Sequence, residues 1–290
     1  MGRSPRADAL VLAIVVLAGC TSDPSPTPAA TTALPTPSPS LASGEPLPSP
    51  AAGGAYLALG DSITFGIGVA RPQRNGYVAR VADALSGPSA DPRVGASRVF
   101  AVPGETAAGF LDRRLDDVVR AIEELGPRVE LVTIGLGANE ILRARRDPAC
   151  VADRASEACR AVLAAATEVA ASSLDAVVTG VQSALEAAGS DATVLLLAYY
   201  NPDLDSLAVA SVAGSDGLTG CDPLEERPGL NDRIACIAAE RSVRLVDLYE
   251  AFLGREEELT RFGSGDVHPN AAGYQVIADT ILDMLPIGGA

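Results

Sequence analysis

The sequence predicts a single α/β domain with a parallel sheet covered by helices on both faces. From Ala55 onward, short continuous apolar runs alternate with longer stretches of helical spacing, and each run ends in turn residues. Strands that are apolar along their whole length are typical of a parallel sheet buried on both sides, and the alternation is typical of helical crossover connections. Residues 55–286 suffice for one such domain with a substantial core.

The first half of the domain contains three predicted strands. Residues 55–62 (AYLALGDS), 97–104 (SRVFAVPG) and 129–137 (VELVTIGLG) are short, apolar and bounded by turn residues, which favours strands over helices. Residues 76–85 and 106–125 place apolar side chains every three to four positions, which predicts amphipathic helices between the strands.

The second half continues the alternation. A stretch rich in Ala and Val predicts a helix over 159–188, the run ATVLLLAYYN a fourth strand over 192–201, and NDRIACIAAERS a helix over 231–242. The run VRLVDLYEAF predicts a fifth strand over 243–252, and a last helix is expected from Asn270, its cap, to about Leu285. Ligands of such folds bind at the carboxyl ends of the strands, so functional residues are expected directly after strands.

Residues 1–20 have the pattern of a bacterial export signal. Arg3 and Arg6 precede an apolar stretch that is shorter than the roughly 20 residues needed to span a bilayer. The stretch ends in LAGC, which resembles the lipobox of bacterial lipoproteins and makes Cys20 the expected lipidated N-terminus. The alternative is an ordinary cleaved signal with an incidental cysteine.

Residues 21–54 are rich in Pro, Ser, Thr and Ala and have neither a helical nor a strand period, so we expect a disordered linker. The folded domain is then expected over 55–290, on the outer side of a bacterial membrane, with the lipid anchor as its only membrane contact. The net charge of −15 argues against nucleic acid as a partner. We expect a monomer.

Four cysteines remain once Cys20 is set aside, an even number that in an exported chain indicates disulfides. Three connectivities are possible, and we favour the local pairs Cys150–Cys159 and Cys221–Cys236. The cysteines and the one histidine show no metal-ligand spacing, so no metal site is expected.

Chemically capable residues follow the predicted strands. Ser62 lies in GDSIT, Gly104 in VPGETAAG, Asn139 in GLGANE, and His268, the only histidine, in DVHPN before the last helix. Alone, each has a structural explanation: a helix-cap serine, a turn glycine, a capping asparagine and a hydrogen-bonded histidine. Together, the backbone N–H groups of Ser62 and Gly104 and the amide of Asn139 are suitable donors for the oxyanion of an ester's tetrahedral intermediate.

In this order and spacing, the four blocks resemble those of the SGNH, or GDSL-type, hydrolases over nearly the whole domain. The resemblance implies a flavodoxin-like, doubly wound sheet of five strands and a Ser–His–Asp esterase with no metal or cofactor. It implies that Ser62 is the nucleophile, His268 the base, and Gly104 and Asn139 oxyanion donors.

Two positions depart from the family pattern. Glu140 stands where the family usually has Asp, and we expect no loss because Asn139 is the donor. The family's acid usually lies three residues before the histidine, where this chain has Gly265. Either the carboxylate of Asp266 or a backbone carbonyl, such as that of Gly265, must then orient His268; we favour Asp266.

The sequence thus predicts an exported serine esterase that hydrolyses carboxylic O-acyl esters through an acyl-enzyme. Its substrate is a small-molecule, lipid or glycan acyl ester. Acyl transfer to another alcohol uses the same residues and stays open, as does a tethered binding lipoprotein that has the fold without the activity.

Overall fold

The computed structural model describes residues 53–201 and 229–285. Its main sheet has five parallel strands in the order β2-β1-β3-β4-β5. This is the flavodoxin-like order, and it confirms the predicted fold class. The strands are β1 Gly54–Gly60, β2 Val94–Ala101, β3 Val129–Gly135, β4 Thr193–Leu197 and β5 Arg244–Val246.

Helices connect the strands and follow the last one. They are α1 Ser62–Phe65, α2 Pro72–Asn75, α3 Tyr77–Ala84, α4 Ala107–Arg113, α5 Leu115–Leu125, α6 Ala138–Ala144, α7 Pro148–Ala152, α8 Glu157–Ala187, α9 Leu230–Glu240, α10 Leu248–Phe252, α11 Glu256–Leu259 and α12 Ala271–Asp283. Short 3₁₀ turns lie at Gly126–Arg128 and Phe262–Ser264.

Each face of the sheet has its own apolar core. Successive side chains of β1 point to opposite faces. Leu57 and Leu59 join the core beneath α4, α5, α8 and α9. Tyr56 and Ala58 join the core beneath α3, α10, α11 and α12. All four are fully buried. This burial on both sides is the physical reason for the continuous apolar runs in the sequence.

The fourth predicted strand, over 192–201, ends at Leu197. Two other predicted elements are each divided in the structure. Residues 243–252 are not one strand: β5 ends at Val246, because the side chain of Asp247 accepts a hydrogen bond from the Glu250 N–H and caps α10. The helix predicted over 106–125 is two helices, since Arg114 between them leaves helical geometry at φ −128°.

The 31-residue helix α8 is long and apolar enough, by composition, to span a membrane. It is nevertheless a core helix of the domain, because Leu174, Val177, Val178 and Val181 on one side of it are fully buried against the sheet and its neighbouring helices.

A disulfide between Cys150 and Cys159 joins α7 to α8 and confirms the first predicted pair. Cys221 lies outside the described residues, so its predicted pairing with Cys236 on α9 stays a prediction. The predicted signal and most of the predicted linker, including Cys20, also lie outside the described part of the chain.

A two-stranded antiparallel hairpin precedes the last helix and was not predicted. It pairs β6, Thr260–Arg261, with β7, Asp266–Pro269. Gly265 enters β7 with φ +77°, a conformation that favours glycine. The hairpin therefore presents Asp266 and His268 from extended backbone next to the main sheet.

Candidate active site

Ser62 lies in a tight turn at the carboxyl end of β1. Gly60 makes this turn possible, because a Cβ there would lie 2.8 Å from the carbonyl oxygen of Gly135. Asp61 caps the following helix α1, accepting a hydrogen bond of 2.9 Å from the Ile63 N–H. Since Asp61 is the cap, the hydroxyl of Ser62 at the first helical position is available for other contacts.

That hydroxyl contacts the single histidine. Ser62 Oγ lies 2.9 Å from Nε2 of His268, although 206 positions separate the two residues. The other ring nitrogen, Nδ1, lies 2.5 Å from Oδ1 of Asp266. A carboxylate only accepts, so Nδ1 carries the proton and Nε2 is left to accept from the serine hydroxyl.

Asp266 is held by three donors. Its Oδ1 also accepts from the backbone N–H of His268 at 3.1 Å, and its Oδ2 lies 3.1 Å from Nε of Arg261. Partial burial by itself would raise the pKa of Asp266, but the hydrogen bonds from His268 and the charge of Arg261 outweigh it, and the pKa is lowered. Of the two candidates for orienting His268, the carboxylate of Asp266 is the one in contact with Nδ1.

Gly104 lies in the turn after β2, with φ +78°. A Cβ at this position would meet none of the described residues within 4 Å, so the positive φ, and not crowding by them, is what favours glycine here. The exposed guanidinium of Arg143, on α6, donates a hydrogen bond of 2.7 Å to the Gly104 carbonyl oxygen. This contact links the loop after β2 to the helix after β3.

Asn139 is the second residue of α6 and is buried. Its Nδ2 donates to the Glu105 carbonyl oxygen at 2.9 Å and, in a longer contact of 3.3 Å, to Oδ2 of Asp61. The structure therefore brings Asn139 next to the turn that carries Ser62 and the loop that carries Gly104. The longer contact is the weaker of the two and the easier for a substrate oxygen to replace.

Asp61 and Tyr199 are two buried members of this site that the sequence reasoning missed. Oδ2 of Asp61 accepts a hydrogen bond of 2.9 Å from the Tyr199 hydroxyl. Burial raises the pKa of Asp61 to about 6, although the hydrogen bonds from Ile63 and Tyr199 oppose the rise. Burial, and then the charge of Asp61, raises the pKa of Tyr199. Tyr199 lies two residues beyond the end of β4 at Leu197. The predicted fourth strand ran to residue 201 and contained Tyr199, so the expectation of functional residues directly after strands did not point to it.

Glu140, the first of the two positions at which the sequence departs from the family it resembles, is buried beside Asn139. Its Oε1 accepts from the Ala108 N–H at 3.2 Å, while Oε2 has no hydrogen-bond partner among the described residues. Burial raises the pKa of this carboxyl, and the backbone N–H groups at the start of α4 partly offset the rise. Glu140 thus connects α6 to the segment that follows Gly104, and Asn139 keeps its place in the site.

The assembled site contains a hydroxyl, an imidazole and a carboxylate in hydrogen-bonded series, with an amide and a glycine turn on the neighbouring strand ends. Such a series can deprotonate the hydroxyl as it attacks a carbonyl carbon. Within residues 53–201 and 229–285, no group of three His, Cys, Asp or Glu side chains is arranged to hold a metal ion.

Comparison with known proteins agrees with this arrangement. The family described as the GDSL-like lipase/acylhydrolase family matches residues 58–276. Among solved structures, the lipase Lip_vut3 from a goat rumen metagenome is similar, with a TM-score of 0.60 and 21% identity, over 78% of this chain and 95% of that one.

Two further structures have the same fold. The acetylxylan esterase Axe2 from Geobacillus stearothermophilus is similar with a TM-score of 0.53 and 20% identity, over 80% of this chain and 93% of that one. The esterase EstA from Pseudoalteromonas sp., whose structure is described as inhibited by monoethylphosphonate, has a TM-score of 0.50 and 21% identity, over 79% and 95%. None of the curated proteins matches this chain.

Proposed function

Since the chain belongs to the GDSL-like lipase/acylhydrolase family and is a serine ester hydrolase, we propose that it cleaves esters through a covalent acyl-enzyme on Ser62. The observation that carries the proposal is the series from Ser62 Oγ to His268 Nε2, at 2.9 Å, and from His268 Nδ1 to Asp266 Oδ1, at 2.5 Å. No other side chain in the described residues combines a hydroxyl with an adjacent imidazole, because the chain has one histidine.

In the first half of the reaction, Ser62 Oγ attacks the ester carbonyl carbon while His268 Nε2 takes the hydroxyl proton. The carboxylate of Asp266 keeps the proton of Nδ1 in place and stabilises the imidazolium that forms. The carbonyl oxygen becomes negative, and the backbone N–H groups of Ser62 and Gly104 and the amide of Asn139 donate to it. The imidazolium then returns its proton to the leaving alcohol as the ester C–O bond breaks.

In the second half, water repeats the attack on the acyl-enzyme. His268 takes a proton from the water as the water oxygen attacks the acyl carbon. The negative oxygen of this second tetrahedral intermediate accepts hydrogen bonds from the same donors. Ser62 then leaves and takes the proton from the imidazolium. The product is a carboxylic acid. The amide of Asn139 exchanges its 3.3 Å contact with Asp61 for the substrate oxygen and keeps its 2.9 Å hydrogen bond to Glu105.

The substrate class is proposed from the site and its relatives together. One structural neighbour is named a lipase and another an acetylxylan esterase, which supports testing acyl esters of lipids and of glycans beside small esters. A series of p-nitrophenyl esters of increasing acyl length, followed by acetylated xylan and a triglyceride, separates these classes. Measuring acyl transfer to an added alcohol in the same assays distinguishes transfer from hydrolysis.

The mechanism is tested at Ser62. S62A and H268A should each lower kcat by about 10³-fold or more while the protein stays folded. A fluorophosphonate should add one adduct to Ser62, found by peptide mass spectrometry, and none to S62A. The matched control is S172A, at an exposed serine of α8, which should keep full activity and labelling. Full activity in folded S62A would refute the acyl-enzyme.

We also propose that the domain is exported and tethered through a lipid on Cys20. The lipobox-like LAGC, the Pro-rich residues 21–54 and the disulfide between Cys150 and Cys159 support this, because disulfides persist in oxidising compartments. The full chain expressed in a bacterium should partition into detergent and carry fatty acid on Cys20, whereas C20A should do neither. A water-soluble, unmodified wild-type chain would contradict the anchor.

A further inference from the structure

Arg261 is an ion-pair partner of Asp266 that the proposed reaction does not use directly. It ends β6 and lies opposite Asp266 in the register of the β6–β7 hairpin. Its Nε lies 3.1 Å from Oδ2 of Asp266, the carboxylate oxygen that does not contact His268. One carboxylate oxygen of Asp266 therefore contacts the imidazole, and the other contacts the guanidinium.

The same guanidinium also reaches the loop that follows the nucleophile. Nη1 of Arg261 donates a hydrogen bond of 3.1 Å to the carbonyl oxygen of Gly68. Gly68 has φ +104°, and a Cβ there would lie 2.3 Å from the Pro269 carbonyl oxygen and 3.3 Å from the Cβ of His268. The loop thus packs directly on the strand that carries the histidine.

This loop is continuous with the helix of Ser62. The N–H of Ile67 donates to the Ser62 carbonyl oxygen at 2.9 Å, and the carbonyl oxygen of Ile67 accepts from the Tyr274 hydroxyl at 2.7 Å. Strand β7, which carries His268, is held by the Tyr200 hydroxyl, which donates to the Val267 carbonyl oxygen at 2.7 Å. Buried tyrosine hydroxyls therefore hold both the loop that follows Ser62 and the strand that carries His268. The guanidinium of Arg261 bridges this loop and this strand.

We propose that Arg261 is a positioning residue for the reaction: it fixes the carboxylate of Asp266 on His268 Nδ1 and ties that strand to the Gly68 loop. The inference rests on the proposed role of Asp266. Such a residue is needed because Asp266 lies two residues before His268. An unrestrained carboxylate at that position has several rotamers, and only some of them bring it to Nδ1. A planar guanidinium that donates in two directions selects one of them.

The test combines R261Q with D266N. R261Q should lower kcat about tenfold with KM little changed, a loss at the lower end of what hydrogen bonds to charged groups contribute, because the Arg261 side chain is 48% exposed. R261K should recover only part of the loss, since one ammonium cannot reach both partners. R255Q is the matched control: Arg255 is equally exposed and pairs with Glu258 on the surface, so this variant should keep wild-type kcat.

The double variant shows whether Arg261 acts through Asp266. In the D266N background, R261Q should cost less than about twofold, because there is no carboxylate left to position. A tenfold loss in both backgrounds, or less than a twofold loss in the folded R261Q protein, would overturn the proposal. A small effect of D266N alone would overturn both this inference and the Ser–His–Asp assignment, and full activity of S62A would mark failure of the proposed reaction itself.

The single histidine supplies a direct spectroscopic readout. With [¹⁵N]histidine, the ¹⁵N spectrum and the ¹⁵N-edited proton spectrum of the protein report only His268. A proton on Nδ1 bonded to a carboxylate should give one strongly deshielded resonance in the wild type and in R255Q. In R261Q this resonance should weaken or move upfield while the melting temperature stays near wild type. An unchanged resonance in R261Q would contradict a positioning role.

Discussion

The buried carboxyl of Asp61 should leave a distinct mark on the pH dependence of stability. In the unfolded chain Asp61 titrates near its usual 3.8, whereas burial raises its pKa in the folded protein to about 6. Between these values the folded state holds a proton that the unfolded state has lost. The free energy of unfolding contributed by Asp61 therefore falls as the pH rises through this window.

The magnitude follows from the two pKa values. They differ by about two pH units, and each unit corresponds to about 1.4 kcal/mol, so the contribution is about 3 kcal/mol. D61N has no proton to lose at this position. The free energy of unfolding of D61N minus that of the wild type should increase by about 3 kcal/mol between pH 3 and pH 7. The altered hydrogen bonds of D61N add a constant cost that does not change with pH.

The measurement is urea unfolding of the wild-type and D61N proteins at intervals of half a pH unit. E124Q is the control. Glu124 is paired on the surface with Arg98 at 2.8 Å, and this hydrogen bond lowers its pKa. Its contribution is present above its unfolded pKa and lost as the pH falls, so the E124Q difference should change in the opposite sense. A D61N difference that is flat from pH 3 to pH 7 would refute the buried, raised carboxyl.

Other expected outcomes concern the reaction and the disulfide. D266N should lower kcat by about 10³- to 10⁴-fold with KM little changed, and a loss below about tenfold in a folded variant would give the orienting role to a backbone carbonyl. N139A should lower kcat by about 10²- to 10³-fold, as the loss of one oxyanion donor does, and an unchanged kcat would exclude its amide from the donors. EDTA should leave kcat unchanged, because the proposed steps use only side chains and water; a loss that zinc restores would argue for a metal. The double replacement of Cys150 and Cys159 by Ser should lower the free energy of unfolding by about 3 kcal/mol, measured against the wild type under oxidising conditions.

The sequence by itself predicted the elements that depend on local pattern. The continuous apolar runs of β1, β3 and β4 predicted the strands, because strands buried on both faces tolerate no polar alternation. The order of the blocks containing Ser62, Gly104, Asn139 and His268 predicted the family that the comparison then showed. The Asp266 alternative also came from local geometry, since side chains two residues apart leave the same side of an extended segment.

Only the tertiary structure decided the contacts between distant segments. Nothing near Tyr199 in the sequence indicates that its hydroxyl meets Asp61, and nothing near Arg261 indicates that it bridges Asp266 and the Gly68 loop. The fifth strand was wrong over its second half because one capping side chain, that of Asp247, outweighed the apolar pattern. The Asp247 cap is a local contact, three residues from Glu250. The contacts of Tyr199 with Asp61 and of Arg261 with Gly68, by contrast, join residues 138 and 193 positions apart. Local propensity carries no information about them, because their energies exist only once the sheet has brought the strand ends to one edge.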